Sequence, residues 1–495
     1  MKKFCKIISV FLIFVLLITL CSCSKYDAKA NIYFELYELP ETLDAQTAES
    51  VSELIAVRNI YEGLTRKNEE GDIVLGVAES YEYKNLTYTF QIKEDAVWSD
   101  GTPLTAYDFE FALRRAVLPK TNSPFAYKLY SIKNARNIHN GTMDADALGV
   151  IAKDSKTLVI QLEYEYDDFL HTLSTSVAMP CNEKFFKESV GKYGLSSEYI
   201  ISNGSYKLSR WNQENFKIKL SKNDNYIGDF EAKNGAVFLT RNEEETAISL
   251  LQNDDVDASF IDCALIKEAE DSGLKTHSFE NTCWVLTISD ELPYNIRKSL
   301  AMLCGGEFIN NKFKYGFRVA DSLFPSVCLI DKQTPEKHTE YNLEEGKKLY
   351  FEAVKELENK KFPTETYLSY YDNGYFKDVI TALAGHWQKN LGAYVNIEEV
   401  DSVNKIIGQL TEQTKVMSVF PVVTLNNDIA EYLKKFGFDY NNQDISSIQN
   451  TLLSNYNIIP LAFSNTTIAY GNGINNIHFD MDNGYIDFAF VTKEK

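Results

Sequence analysis

Metal-ligand spacing is missing from this chain of 495 residues. The six histidines, His139, His171, His277, His338, His386 and His478, are scattered. None pairs as H-x-x-x-H and none has a cysteine at ligand spacing, which argues against a zinc site. No G-x-S-x-G element and no Walker-type glycine loop occurs, so the usual nucleophile and phosphate-cradle signatures are absent. Acid runs such as Glu243-Glu244-Glu245 read as a charged helix start rather than an acid–base pair. The expectation is a chain that is not an enzyme and needs no metal or cofactor. Basic charge is scarce too. Against 70 Asp and Glu stand 50 Lys and Arg, for a net charge of −20. Such a body is a poor partner for nucleic acid or anionic headgroups. It suits solubility, or attraction of basic ligands. No fixed-period repeat and no long low-complexity run appears. Beyond the N-terminus no apolar run is long enough to cross a bilayer.

Cysteine is sparse past residue 23: Cys181, Cys263, Cys283, Cys304 and Cys328. The count is odd and no C-x-x-C occurs, so these read mostly as small core residues. One disulfide stays open in an exported chain.

Aromatic residues make up 13% of the chain and hydrophobic residues 44%, a globular composition. The length predicts two or three domains. At the N-terminus, Lys2, Lys3 and Lys6 precede a 14-residue apolar or small stretch from Ile7 to Leu20. That run is too short to span a bilayer and fits an export signal. It ends in Leu20-Cys21-Ser22-Cys23, which resembles a bacterial lipobox with Cys23 at the processed position. Two acyl chains on Cys23 would hold the chain stably at a membrane. An ordinary cleaved signal with an incidental cysteine is the alternative. Residues 1–22 thus read as signal peptide and 23–30 as a tether; removal of the three lysines takes the net charge from −20 to −23.

Strand and helix patterns alternate through the rest, the mark of α/β layers. Asn31 to Tyr37 alternates like a strand. The spacing predicts helices over Val51 to Leu64, from Thr105 with Asp108 as an acidic capping box, and over Glu243 to Leu251, Ile296 to Leu303, Leu343 to Leu357 and Phe376 to Leu391, the last stopped by Gly392. Strands are predicted over Leu86 to Lys93, Leu158 to Leu162, Phe216 to Leu220, Thr366 to Tyr370 and Val395 to Ile397. Trp98-Ser99-Asp100-Gly101-Thr102-Pro103 is a turn by composition, with Trp98 packing and Asp100 shaping the bend. Arg114-Arg115 reads as a solvated helix face.

The most specific stretch runs from Ala78-Glu79-Ser80-Tyr81 through Leu86–Ala96 to Trp98-Ser99-Asp100-Gly101-Thr102-Pro103-Leu104-Thr105-Ala106-Tyr107-Asp108-Phe109. It resembles the signature of the extracellular solute-binding proteins of family 5, the oligopeptide- and dipeptide-binding receptors of ABC importers. Other blocks follow in family order: Leu43-Asp44-Ala45-Gln46, Tyr61-Glu62-Gly63-Leu64, Asn203-Gly204-Ser205-Tyr206, Ile296-Arg297-Lys298-Ser299-Leu300-Ala301 and Ile459-Pro460-Leu461. The resemblance spans roughly residues 31–490 and implies an α/β, two-lobed periplasmic-binding-protein-like clamshell of type II, cluster C. Its expected first lobe comprises 31–72, 197–275 and 458–495, with an extra subdomain over 73–196; its second lobe is 276–457, and two crossover strands hinge the pair. Closure would bury a ligand between the lobes. The implied partners are a peptide or other small ligand, ABC permease subunits and, through the anchor, a membrane, with the protein itself a monomer.

The chain departs from the family where a carboxylate usually holds the peptide's α-ammonium, in an Asp-Tyr-x-Asp-Pro motif. A buried cation needs a matched anion. Here Thr424-Leu425-Asn426-Asn427-Asp428-Ile429 occupies that place, with Leu425 on the first acid and Ile429 on the proline. Between Val400 and Phe420 the family's Trp and Arg are missing too. Three readings stay open: Asp428 or Glu431 takes the role, the ligand lacks a free amine or binds otherwise, or tight peptide binding is lost. Candidate ligand-binding residues are Tyr37 and Glu38 after the first strand, Trp284 and Asp428; core packing of a strand for Trp284 and a solvated loop acid near a helix start for Asp428 are the structural alternatives. The expected function is capture of a peptide for an ABC importer. The alternatives are a non-transport surface lipoprotein, sensor or adhesin, and a binder of a non-peptide ligand.

Overall fold

A computed structural model describes residues 31–494 apart from 212–216, 242–244, 306, 314–315, 330–334, 336–340, 358–360, 364–365, 372–375, 401–416, 425–426, 439–443 and 482–483. Cys23, Leu425 and most of the acid run at 243–245 lie outside the described residues.

In chain order the strands are β1 Asn31–Glu35, β2 Thr65–Lys67, β3 Ile73–Leu75, β4 Ala78–Lys84, β5 Thr87–Ile92, β6 Val150–Ala152, β7 Thr157–Gln161, β8 Tyr206–Arg210, β9 Lys217–Lys222, β10 Gly235–Leu239, β11 Ala258–Asp262, β12 Lys275–Ile288, β13 Phe317–Val319, β14 Tyr367–Tyr371, β15 Asn396–Val400, β16 Met417–Val423, β17 Ile458–Tyr470, β18 Ile474–Asn475 and β19 Thr492–Lys493. One large sheet runs β15-β14-β16-β12-β17-β11-β1-β10-β9-β8, with β13 on β17. The first lobe forms around β1, which pairs in parallel with β10 and β11. The second forms around β14, parallel to β15 and β16. Strands flanked in parallel lie under helices on both faces, and β1 is accordingly buried from Ile32 to Glu35. The architecture is the two-lobed α/β clamshell.

What joins the lobes is the antiparallel pair β12 and β17, 14 and 13 residues long. Their pairing continues from Lys275↔Tyr470 in the first lobe to Thr287↔Ile458 in the second. The register slips at Glu280/Thr282 and again at Trp284/Val285. Such bulges bend a strand and increase its twist. A separate four-stranded sheet, β4-β5-β7-β6, packs with the helix Ala106–Val117 beside the first lobe.

Local chemistry explains the boundaries. Ser50 and Glu53 form a reciprocal capping box that starts the helix Val51–Ile60. That helix stops short of the expected Leu64. The amides of Asn203 and Gly204 take the Ile60 carbonyl at 3.1 and 3.0 Å. Gly204 is required there, because a Cβ would stand 2.9 Å from the Ile60 backbone carbon. Thr105 and Asp108 close the second box, with the Asp108 carboxylate accepting from the Thr105 amide at 2.8 Å. Gly392, at φ +71°, ends the helix Lys377–Leu391.

Two expectations change. Arg115 is buried, not solvated. Its guanidinium donates to Asp44 and, at 2.7 Å, to Gln46, and lies 4.4 Å from the Phe186 ring centroid. A helix turns 100° per residue, so Arg114 stays near the surface with Glu110 and Asp146 while Arg115 shares the buried face of Asp108 and Ala112. The helix predicted from Glu243 is described as Ala247–Gln252, capped by Thr246. The five described cysteines are buried thiols.

Candidate cleft between the lobes

Asn281 fixes the place where β12 passes from lobe to lobe. It is fully buried, and its side chain donates to the Thr424 carbonyl at 2.9 Å and accepts from the Thr466 amide at 3.1 Å. The Thr424 amide returns a bond to the Asn281 carbonyl at 2.8 Å. One amide side chain therefore ties together β12, β17 and the end of β16. The chain stretch that starts at Thr424, where the family's amine-holding acid is expected, begins at this joint.

On the first-lobe side, Tyr37 follows β1. It is 56% exposed, with its ring stacked on Phe260 at 4.5 Å and 12°. Thr466, Asp262, Arg241 and Glu35 surround its hydroxyl. Glu35 is buried at the end of β1. Burial pushes its carboxyl above the usual range, opposed by the Ser259 hydroxyl that donates to it and by Arg241 at 3.3 Å. Glu38 is exposed, and its amide reaches the Ser52 hydroxyl at 3.4 Å.

On the second-lobe side, Arg318 grips Glu280 with two bonds of 2.5 and 2.9 Å and reaches Asp321 at 3.1 Å. The same Glu280 accepts from the Ser326 amide and hydroxyl. Trp284 lies deeper. It is 2% exposed, stacks on Phe376 at 4.1 Å and 9°, and donates from Nε1 to the Ser464 hydroxyl at 3.0 Å. Its ring belongs to the core with Leu286, Leu300 and Trp387, which is the packing alternative for this residue.

Asp428 stands on the seam. It caps the helix Ile429–Lys434 by accepting from the Ala430 and Glu431 amides. The hydroxyl of Tyr127, from the part of the chain around the four-stranded sheet, donates to Asp428 at 3.0 Å and to Glu431 at 3.4 Å. Lys128 lies 3.6 Å from Asp428, and Lys434 lies 3.9 Å from the Tyr127 ring centroid. Burial works against charge on Asp428, but Lys128, the two amides and Tyr127 outweigh it and hold the carboxyl below its usual range. Asp428 thus caps a helix and bridges the lobes at once.

Tyr37 therefore stands on the first lobe, Asp428 on the second, and Trp284 inside the second-lobe core. Sequence reasoning missed Tyr127, Lys128, Arg241, Glu280 and Arg318. No local pattern marks them, because each acts through a partner far away in the chain. Among the described residues no group of three or more His, Cys, Asp or Glu is arranged to hold a metal ion, and no helix is long and apolar enough to cross a membrane.

The sequence profile of the bacterial extracellular solute-binding proteins, family 5 (Middle), matches residues 72–444. The periplasmic oligopeptide-binding protein OppA of Salmonella typhimurium is 30% identical over 379 residues, covering 72% of this chain and 68% of that protein. The oligopeptide-binding protein OppA of Bacillus subtilis is 27% identical over 428 residues, 80% of this chain and 78% of that one. Among solved structures, Listeria monocytogenes OppA bound to peptide superposes with a TM-score of 0.75 at 22% identity, over 94% of this chain and 99% of that chain.

Proposed function

This chain belongs to the bacterial extracellular solute-binding proteins of family 5, and from that premise we propose that it captures a peptide outside the cytoplasm by closing its lobes and presents it to ABC permease subunits. No bond of the guest changes in this reading; the binding energy is spent on closure. The observation that carries it is the pair of bulged crossover strands, β12 and β17, with Asn281 at their joint. This makes the strand pair the covalent link between two separately packed cores.

We assign 31–72, 197–274 and 471–495 to the first lobe, 73–196 to its extra subdomain and 289–457 to the second lobe, with β12 and β17 crossing between the two lobes and changing sides near Asn281 and Ser464. Tyr37 and Glu38 line the first-lobe wall, while Asp428 works chiefly as the seam and Trp284 as support for the opposite wall. Cys23 carries the lipid that keeps the monomer at the membrane surface. Replacement of Cys23 by Ser should release the protein from the membrane fraction into solution; retention would contradict the anchor.

The substitution of Leu425 for the usual acid favours a second reading, in which the guest's α-amine is held elsewhere or is absent. A thermal-shift screen separates the readings. Peptide pools should raise Tm, whereas sugars and metal chelates should not. A shift with a non-peptide alone supports the second reading, and no shift with any of them contradicts capture altogether.

A further inference from the structure

A cavity of about 300 Å³ lies between the β2–β3 turn and the C-terminal segment, at the lower end of the range for small-ligand sites. Its walls carry four carboxylates, Glu69, Glu70, Asp480 and Asp487, against one ammonium, Lys67. The deeper acids are engaged. Asp480 pairs with Lys67 at 3.1 Å, and Asp487 with Arg66 at 2.6 Å and Arg58 at 3.5 Å. Glu69 and Glu70 are exposed at the rim, so the mouth is negative.

Tyr485 is the independent observation. It is only 4% exposed, lines the cavity, and its hydroxyl has no hydrogen-bond partner among the described residues. A buried hydroxyl without a partner is disfavoured, so a ligand that supplies the missing bond is selected. Burial raises this phenol and keeps it protonated, with Arg58 and Arg66 working against the shift and Asp480 and Asp487 adding to it. Its oxygen remains an acceptor for a cationic N–H. Phe479 and Phe490 also line the cavity, and the protein's own guanidiniums already use such rings here: Arg66 lies 5.5 Å from the Phe490 centroid and Arg58 5.3 Å from that of Tyr485.

The cavity adjoins the cleft. Phe479 stacks on Phe279, at the first-lobe end of β12, at 4.7 Å and 12°. It also meets Phe260, which carries Tyr37, edge-on at 6.1 Å. We propose that this cavity holds an organic cation of the guest, a primary ammonium or a guanidinium, against Tyr485 and the acidic rim. It thereby does the work that Leu425 leaves undone. The proposal rests on the peptide-binding reading above.

The cation has two sources, the peptide's α-amine or a basic side chain. Titration calorimetry on the whole protein with one peptide in four forms separates them: lysine or norleucine at one position, each with a free or acetylated N-terminus. At least one cationic form should bind about tenfold tighter than the acetylated norleucine form, roughly 1.4 kcal/mol. Loss on acetylation marks the α-amine, and loss on the norleucine swap marks the side chain. Tyr485→Phe should erase the preference while the ligand-free Tm stays level or rises, and Glu69→Gln with Glu70→Gln should weaken it. If all four forms bind equally, or the preference survives Tyr485→Phe, the cavity assignment is overturned and peptide capture stands. If none of the four binds and the peptide pools give no thermal shift, both readings fall.

Discussion

Among single side chains, the buried ones carry the firmest consequences. Arg115 is surrounded by Asp44, Gln46 and Phe186, so Arg115→Ala strands a buried carboxylate. We expect a loss of about 3–5 kcal/mol, read by chemical denaturation. Trp284→Ala removes a stacked indole from the second-lobe core and should cost about 3–5 kcal/mol. Asp108 gives a pH signature. Burial, set against the hydrogen bonds of Thr105, pushes its carboxyl up to about 6 from 3.8. The folded-state value lies above the unfolded one, so the group's contribution is complete below about pH 4 and is lost as pH rises through about 6. Denaturation across pH 4–8 should show this limb in the native protein and a flatter one in Asp108→Asn. The capping box of Thr105 and Asp108 was legible because it is a local pattern, and so was the helix start at Asp428; that Asp428 is covered by Tyr127 rather than solvated was not. The burial of Arg115 was not, since its partners lie about 70 residues upstream and only the fold brings them together.

For the elements, legibility followed the same division. The helix Lys377–Leu391 and its Gly392 stop could be read because apolar period and terminator are adjacent in sequence. Gly392→Ala forces a Cβ into the left-handed region and should cost about 1–2 kcal/mol. The end of the helix Val51–Ile60 was misjudged. What stops it is a pair of amides from Asn203 and Gly204, some 140 residues on. Much of the family signature proves to be scaffold of this kind: Asp44 and Gln46 hold Arg115, and Glu62 holds Arg66 at 2.7 Å. The crossover strands are the element on which function turns. Asn281→Ala orphans the Thr424 carbonyl and the Thr466 amide at the joint. A destabilisation of about 1–3 kcal/mol is expected, with hydrogen exchange quickening first in β12, β16 and β17.

At the scale of the molecule, the two separately packed cores and the linking strand pair make lobe closure the event that a ligand drives. The clamshell was legible from motif order; the walls of its cleft were not, because they are assembled from both lobes. A guest at a hundredfold excess over its dissociation constant should stabilise the closed form by about 2.7 kcal/mol. Native mass spectrometry of the protein mixed with a defined peptide tests capture without chemistry most directly. The account predicts a one-to-one complex from which the peptide is released at its original mass. Failure to form a complex with any peptide, or release of a shortened one, would contradict it.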